Sequence, residues 1–223
     1  MSRRTPHSGD DPHGDEPLVR GGAPVDEAQA ALVLVHGRGA TARSILGFGE
    51  EVAGDDVALL APQAAGNTWY PNSFLSPVAE NEPGRSSGLE AVGNAVETAV
   101  EAGIDAESVA VAGFSQGACL ASEFVARTPR RYGGLAALSG GVIGDSVVVD
   151  DYVGDDVDPL AGTPAFLGCS DVDPHIPKER VHETEAVLEA LGAAVETRLY
   201  EGMGHGINED ETEYVSAMIA DLS

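Results

Sequence analysis

The chain has 223 residues, a formal charge of −25 from 12 Lys and Arg against 37 Asp and Glu, 43% hydrophobic residues and two cysteines. That length can bury a core without a metal staple or a disulfide framework, and Cys119 and Cys169 are too few for either device. The longest apolar run, around Ala30 to Val35, is far short of the roughly 20 residues of a membrane span, and so acidic a surface repels nucleic-acid phosphates and anionic headgroups.

Met1 to Gly14 is polar, rich in Pro and Gly and without periodicity, so a disordered tail is expected there, with a single domain over 15–223. Arg3-Arg4 is followed by no apolar stretch of the kind an export signal requires. Pro17 to Ala28 has scattered apolar residues and room for one edge strand. From Ala30 onward, short apolar runs alternate with amphipathic stretches. The runs predict strands at Ala31–Val35, Val57–Ala61, Val109–Ala112, Leu135–Leu138, Ala165–Leu167 and Val195–Tyr200. Helices are predicted at Ala42–Ala53, Gly88–Ala102, Gln116–Arg127, Pro177–Ala190 and Ile207–Leu222. Most of the strands are apolar throughout, as strands covered on both faces are. The alternation therefore predicts an α/β three-layer αβα sandwich around a mainly parallel sheet. The acidic stretch Asp150 to Asp158 reads as a solvated surface loop.

The carboxylates are spread along the whole chain, and Lys178 is the only lysine. Such a balance suits the salt-rich cytosol of a halophile, where a Debye length of about 3 Å at molar salt screens the repulsion. At low salt, self-repulsion is expected to destabilise the fold. The lack of a signal-like stretch and of a disulfide set points to the cytoplasm.

Gly113-Phe114-Ser115-Gln116-Gly117 matches G-x-S-x-G, the elbow that presents a nucleophilic serine on a strained turn between strand and helix. In a chain with 28 glycines the pattern alone is weak, but here an apolar run precedes it and a small-residue helix pattern follows. A serine hydroxyl needs a base to take its proton and an acid to hold that base. Among the six histidines, His7 and His13 fall in the tail, His182 in a charged helix and His175 beside two aspartates. His205 lies in Gly202-Met203-Gly204-His205-Gly206, after the last predicted strand, at the sheet edge where open α/β folds place their sites. The acid belongs between serine and histidine in chain order, and Asp171 and Asp173 both qualify. An oxyanion needs two donors. The backbone N–H of Gln116 supplies one, and that of Arg38, in His36-Gly37-Arg38-Gly39, is placed for the other. His36 itself reads as a structural hydrogen-bonding residue. Trp69, Tyr70 and Phe74 bring three rings into a six-residue stretch and are candidates for a substrate pocket, with core packing as the equal alternative.

Assembled, these residues resemble the phospholipase/carboxylesterase family of the α/β-hydrolase superfamily, which includes acyl-protein thioesterases. The matching pieces are Leu34-Val35-His36-Gly37-Arg38-Gly39, Ala61-Pro62-Gln63, the Ser115 elbow, Asp173-Pro174-His175-Ile176-Pro177 and Gly202-Met203-Gly204-His205, in the family's order. In the family the acid precedes a proline and stands four residues ahead of a second, which favours Asp173. The resemblance implies hydrolysis of small or medium acyl esters, with thioesters and lysophospholipids as variants, through an acyl-serine and without metal or organic cofactor. The expected partner is a small-molecule ester, with a homodimer left open. A dienelactone-hydrolase-like enzyme is the nearby alternative, but its nucleophile is usually cysteine, and Cys119 reads as a small core residue. A non-catalytic binding protein on the same fold is the other alternative. A metal site from Asp171, Asp173 and His175 is not expected, because no second ligand set accompanies them.

Overall fold

The structure, a computed structural model, describes residues 10–222. Seven strands form one sheet: β1 (Leu18–Gly22), β2 (Ala30–Val35), β3 (Val57–Pro62), β4 (Val109–Phe114), β5 (Gly134–Leu138), β6 (Pro164–Ser170) and β7 (Ala194–Tyr200), in the order β1-β3-β2-β4-β5-β6-β7. All pairings are parallel except that of the edge strand β1 with β3. The helices are α1 (Ala42–Val52), α2 (Gly84–Glu101), α3 (Gln116–Arg127), α4 (Lys178–Ala190) and α5 (Glu209–Ala220).

Alternate residues of β2 show why the central strands carry no polar face. Ala31, Val33 and Val35 belong to one apolar cluster with Val92 and Val96 of α2, Leu120 of α3 and Val187 of α4, while Leu32 and Leu34 belong to another with Leu46 of α1 and Ile219 of α5. Two helical layers thus cover the two sheet faces, as the apolar runs predict.

Most of the sequence-based boundaries move by one to three residues, and the chain departs further from expectation at two places. Helix α2 begins four residues before its expected start, at Gly84, with Pro83 as its N-cap. Glu82-Pro83-Gly84 reads locally as a turn, yet a proline is compatible with a helix start, where its missing N–H costs nothing. The second shift corrects the expected tail. Met1 to Gly9 lie outside the described residues, but Asp10–Gly14 are folded onto the domain. His13 is 2% exposed. Its backbone N–H donates to Ser87 Oγ at 2.9 Å, its Nδ1 accepts from Ala65 N at 3.0 Å, and its Nε2 contacts the Trp69 carbonyl at 2.8 Å. Those partners are 52 to 74 residues away, so nothing local to the tail signals the docking. The Asp150–Asp158 loop is exposed except for Tyr152, which donates to Glu123 and stacks under the Arg127 guanidinium.

Helix α3 crosses close over β2 and β4, and only glycine permits the approach. A Cβ on Gly117 would lie 2.0 Å from the Val35 carbonyl oxygen, and one on Gly113 would lie 2.4 Å from the Gly117 backbone. Both obstacles are backbone atoms and cannot rotate away. Gly117→Ala is therefore expected to cost about 3 kcal/mol, the upper range of overpacking penalties, and to lower Tm by about 6–12 °C in a thermal melt.

Candidate active site

The β4–α3 junction places Ser115 at φ 57°, ψ −122°. This is a strained backbone for a residue with a Cβ, of the kind that persists where the surrounding structure enforces it. Enforcement comes from both sides: Ser115 N donates to the Leu138 carbonyl at 2.9 Å, and Ser115 C=O accepts the first α3 hydrogen bond from Cys119 N at 3.0 Å. The serine side chain does not cap the helix. It is turned instead to the loop after β7.

There His205 Nε2 lies 2.9 Å from Ser115 Oγ, and His205 Nδ1 lies 2.7 Å from Asp173 Oδ2. The Asp173 side chain is fully buried, whereas that of His205 remains 19% exposed. Burial by itself raises a carboxyl pKa. Here the His205 hydrogen bond and the backbone N–H groups of His175 and Ile176 outweigh it and hold Asp173 below the usual carboxylate range. The carboxylate is thus charged and aimed at the imidazole. Asp171, the other candidate acid, does not reach the histidine in this arrangement. Its Oδ1 accepts from Gly202 N at 2.8 Å and ties the loop after β6 to the loop that carries His205. Ser170 Oγ donates to the Met203 carbonyl in the same loop pair. The rings of Phe114 and His175 flank His205 at 5.0 and 4.9 Å.

Gln116 opens α3, so its N–H is among those a helix leaves without an intrahelical partner. Arg38 lies in the loop after β2, whose preceding Gly37 passes so close that a Cβ there would stand 3.4 Å from Ser115 Cβ. Both proposed oxyanion donors therefore border the serine. His36 is fully buried. Its Nε2 accepts from Ala64 N at 3.1 Å, which leaves Nδ1 to donate to the Gly37 carbonyl at 2.9 Å. Burial pushes its pKa down, so it is a neutral structural residue, as the sequence predicts.

A cleft of about 530 Å³ opens over Ser115 and His205. Tyr70, Phe74 and Cys119 line it as buried side chains, and Pro71, Asn72 and Ser73 form an exposed rim. Burial pushes the Cys119 thiol up to about 12, which keeps it protonated and without nucleophilic character. The Tyr70 hydroxyl packs against that thiol. Trp69 takes the core alternative rather than the pocket. It is fully buried and does not line the cleft; its ring sits between His13 and His36, and its Nε1 donates to the His36 carbonyl at 2.8 Å. An indole with one polar atom finds its partner in the core, where the ring also removes the most apolar surface from water.

Three site-supporting features went unread in the sequence. The Gln116 side chain accepts from Trp69 N and donates to the Tyr70 carbonyl, at 3.0 and 2.9 Å. The Arg38 guanidinium donates to the carbonyls of Tyr70, Pro71 and Asn72. Neither contact has a local signature. Glu211, by contrast, closes an Asn208-x-x-Glu211 capping box directly after the histidine loop, a spacing that is legible in sequence. Its burial pushes the carboxyl up to about 7. Among the described residues no cluster of His, Cys, Asp and Glu is arranged to hold a metal ion, and no helix is long and apolar enough to cross a membrane.

A mainly parallel sheet with a strained serine elbow after β4, an aspartate after β6 and a histidine after β7 defines a protein of the α/β-hydrolase class. A profile of the phospholipase/carboxylesterase family matches residues 22–223. The crystal structure of a phospholipase/carboxylesterase from Dyadobacter fermentans superposes with a TM-score of 0.87 at 41% identity, covering 92% of this chain and 97% of that one. A probable carboxylesterase, SOBER1-like, from Arabidopsis thaliana is 27% identical over 68% of this chain and 58% of its own length. Acyl-protein thioesterase 1 of Saccharomyces cerevisiae is 28% identical over 61% of this chain and 59% of its own. The chain thus spans about three-fifths of the length of these curated relatives. It belongs to the phospholipase/carboxylesterase family.

Proposed function

We propose that the protein is a serine carboxylester hydrolase that cleaves small or medium acyl esters, and thioesters by the same route, through an acyl-serine intermediate. The observation that carries the proposal is the continuous chain Ser115 Oγ, His205, Asp173, with contacts of 2.9 and 2.7 Å beside an open cleft. In the first step Ser115 Oγ attacks the acyl carbon and its proton passes to His205 Nε2, while Asp173 holds Nδ1–H and stabilises the imidazolium. The tetrahedral oxyanion accepts from the N–H groups of Gln116 and Arg38. Collapse expels the alcohol or thiol, which takes the proton from His205. A water molecule then attacks the acyl-serine, with His205 again as base, and releases the acid and the free serine. The buried side chains of Tyr70, Phe74 and Cys119 bound the cleft, which supports short over long acyl chains. A salt-adapted setting forms part of the proposal and rests on the charge of −25.

The test is covalent labelling with a fluorophosphonate in molar KCl and at low salt, with the adduct mapped by mass spectrometry. Label on Ser115, strongest in molar KCl, is the expected result. A folded protein that takes no label at either salt concentration overturns the enzymatic reading and leaves a binding protein on a hydrolase fold.

A further inference from the structure

The two oxyanion donors belong to residues whose side chains grip the same short piece of chain. The Arg38 guanidinium donates to three successive carbonyls, of Pro71 at 3.0 Å, Tyr70 at 2.9 Å and Asn72 at 2.6 Å. Gln116 Nε2 donates to the Tyr70 carbonyl as well, at 2.9 Å, and Gln116 Oε1 accepts from Trp69 N. On either side of Arg38 the backbone is pinned to the same wall. The His36 carbonyl accepts from Trp69 Nε1 at 2.8 Å, and Gly39 N donates to the Asn67 carbonyl at 2.7 Å. None of these bonds uses the Arg38 N–H.

We infer that Arg38 is a positioning residue: its guanidinium, strapped to residues 70–72, fixes the cleft wall and its own backbone N–H as one rigid unit. The inference rests on the hydrolase reading above and adds a role for a side chain which that mechanism does not use. Hydrogen bonds from a charged guanidinium are the strong kind, and its planar fork loses little freedom when several form together. A donor that must sit within about 0.5 Å of its productive position needs such support, and a glycine-flanked loop supplies little of its own. The same lacing makes the wall and the oxyanion donor move together.

Arg38→Met and Arg38→Lys keep the backbone N–H, so they test the strap without deleting the donor. The readouts are kcat and KM on 4-nitrophenyl acetate, the Ki of a trifluoromethyl ketone whose adduct places an oxyanion in the same hole, and Tm. Arg38→Met is expected to lower kcat about 10–100-fold, somewhat less than outright loss of a donor, with KM within about threefold. The Ki is expected to rise by the same factor as kcat/KM falls, because the adduct mimics the transition state. Arg38→Lys, which retains the charge and fewer donors, is expected to fall between Arg38→Met and wild type.

A raised KM with kcat intact, or a lowered Tm with both constants intact, overturns the inference. Where Arg38→Met does not melt cooperatively, Arg38→Lys decides alone, and a wild-type kcat there overturns the inference. A wild-type enzyme that neither turns over esters nor labels at Ser115 removes the hydrolase reading and the strap with it. Wild-type turnover with unaffected Arg38 variants removes only the strap.

Discussion

Ser115→Ala is expected to lower ester turnover by about 10⁴–10⁶-fold, with burst kinetics lost and with circular dichroism and Tm near those of wild type. The magnitude follows from the way such units fail. With the proposed nucleophile removed, His205 and Asp173 would have nothing to activate, and only the proposed oxyanion donors and binding would remain. The fold is expected to tolerate the change, because the Ser115 side chain does not cap α3 and its main-chain bonds to Leu138 and Cys119 persist in alanine. Steady-state and single-turnover assays with 4-nitrophenyl acetate check it. A variant that keeps more than a tenth of wild-type turnover would overturn the assignment of the nucleophile.

Asp173→Asn is expected to lower kcat by about 10⁴-fold, as loss of the correct histidine tautomer does elsewhere. The geometry dictates which way the new amide turns. Asp173 Oδ1 accepts the N–H groups of His175 and Ile176 at 2.8 and 3.1 Å, and Oδ2 faces His205 Nδ1. In the variant the amide oxygen takes the position that receives two donors, so the NH₂ group meets Nδ1. The imidazole proton then moves to Nε2, which can no longer accept from Ser115. Asp171→Asn is the control. The bond from Gly202 N needs only a carbonyl oxygen, so activity is expected within about threefold of wild type.

The wild-type pH profile has a defined sign. The Asp173 pKa is lowered in the folded protein by the His205 and backbone hydrogen bonds, which exceed the opposing effect of burial. The unfolded chain therefore binds more protons at this site as pH falls. The contribution of Asp173 to stability is fully present above the ordinary carboxylate value near 4 and is lost as pH drops through the folded value. Asp173→Asn is expected to flatten that acid limb in urea melts taken between about pH 5 and 2.5.

The layers, and the residues proposed to carry the chemistry, are legible in local pattern. A strand covered on both faces must be apolar at every position, as β2 is from Ala30 to Val35, so short apolar runs mark it without reference to any partner. The elbow is legible because the turn itself demands small residues around Ser115, where backbone approaches backbone. Ser115, Asp173 and His205 each follow a strand, β4, β6 and β7 in turn, and parallel strands end at one edge of the sheet, where such folds place their sites.

Tertiary structure decided the rest. Composition places Trp69 with Tyr70 and Phe74 as pocket rings, yet the indole is taken into the core by His13 and His36. His13 sits in a stretch that looks like free tail, and its burial depends on Ala65, Trp69 and Ser87. Asp171 and Asp173 are two residues apart and chemically alike; the family resemblance favours Asp173, and the fold sets it against His205 and Asp171 against Gly202 N. The Arg38 guanidinium likewise finds its partners 32 to 34 residues away. Each of these is a side chain meeting distant backbone or a distant ring. Such contacts leave no periodicity in the chain, because any residue's carbonyl or N–H can serve as the partner.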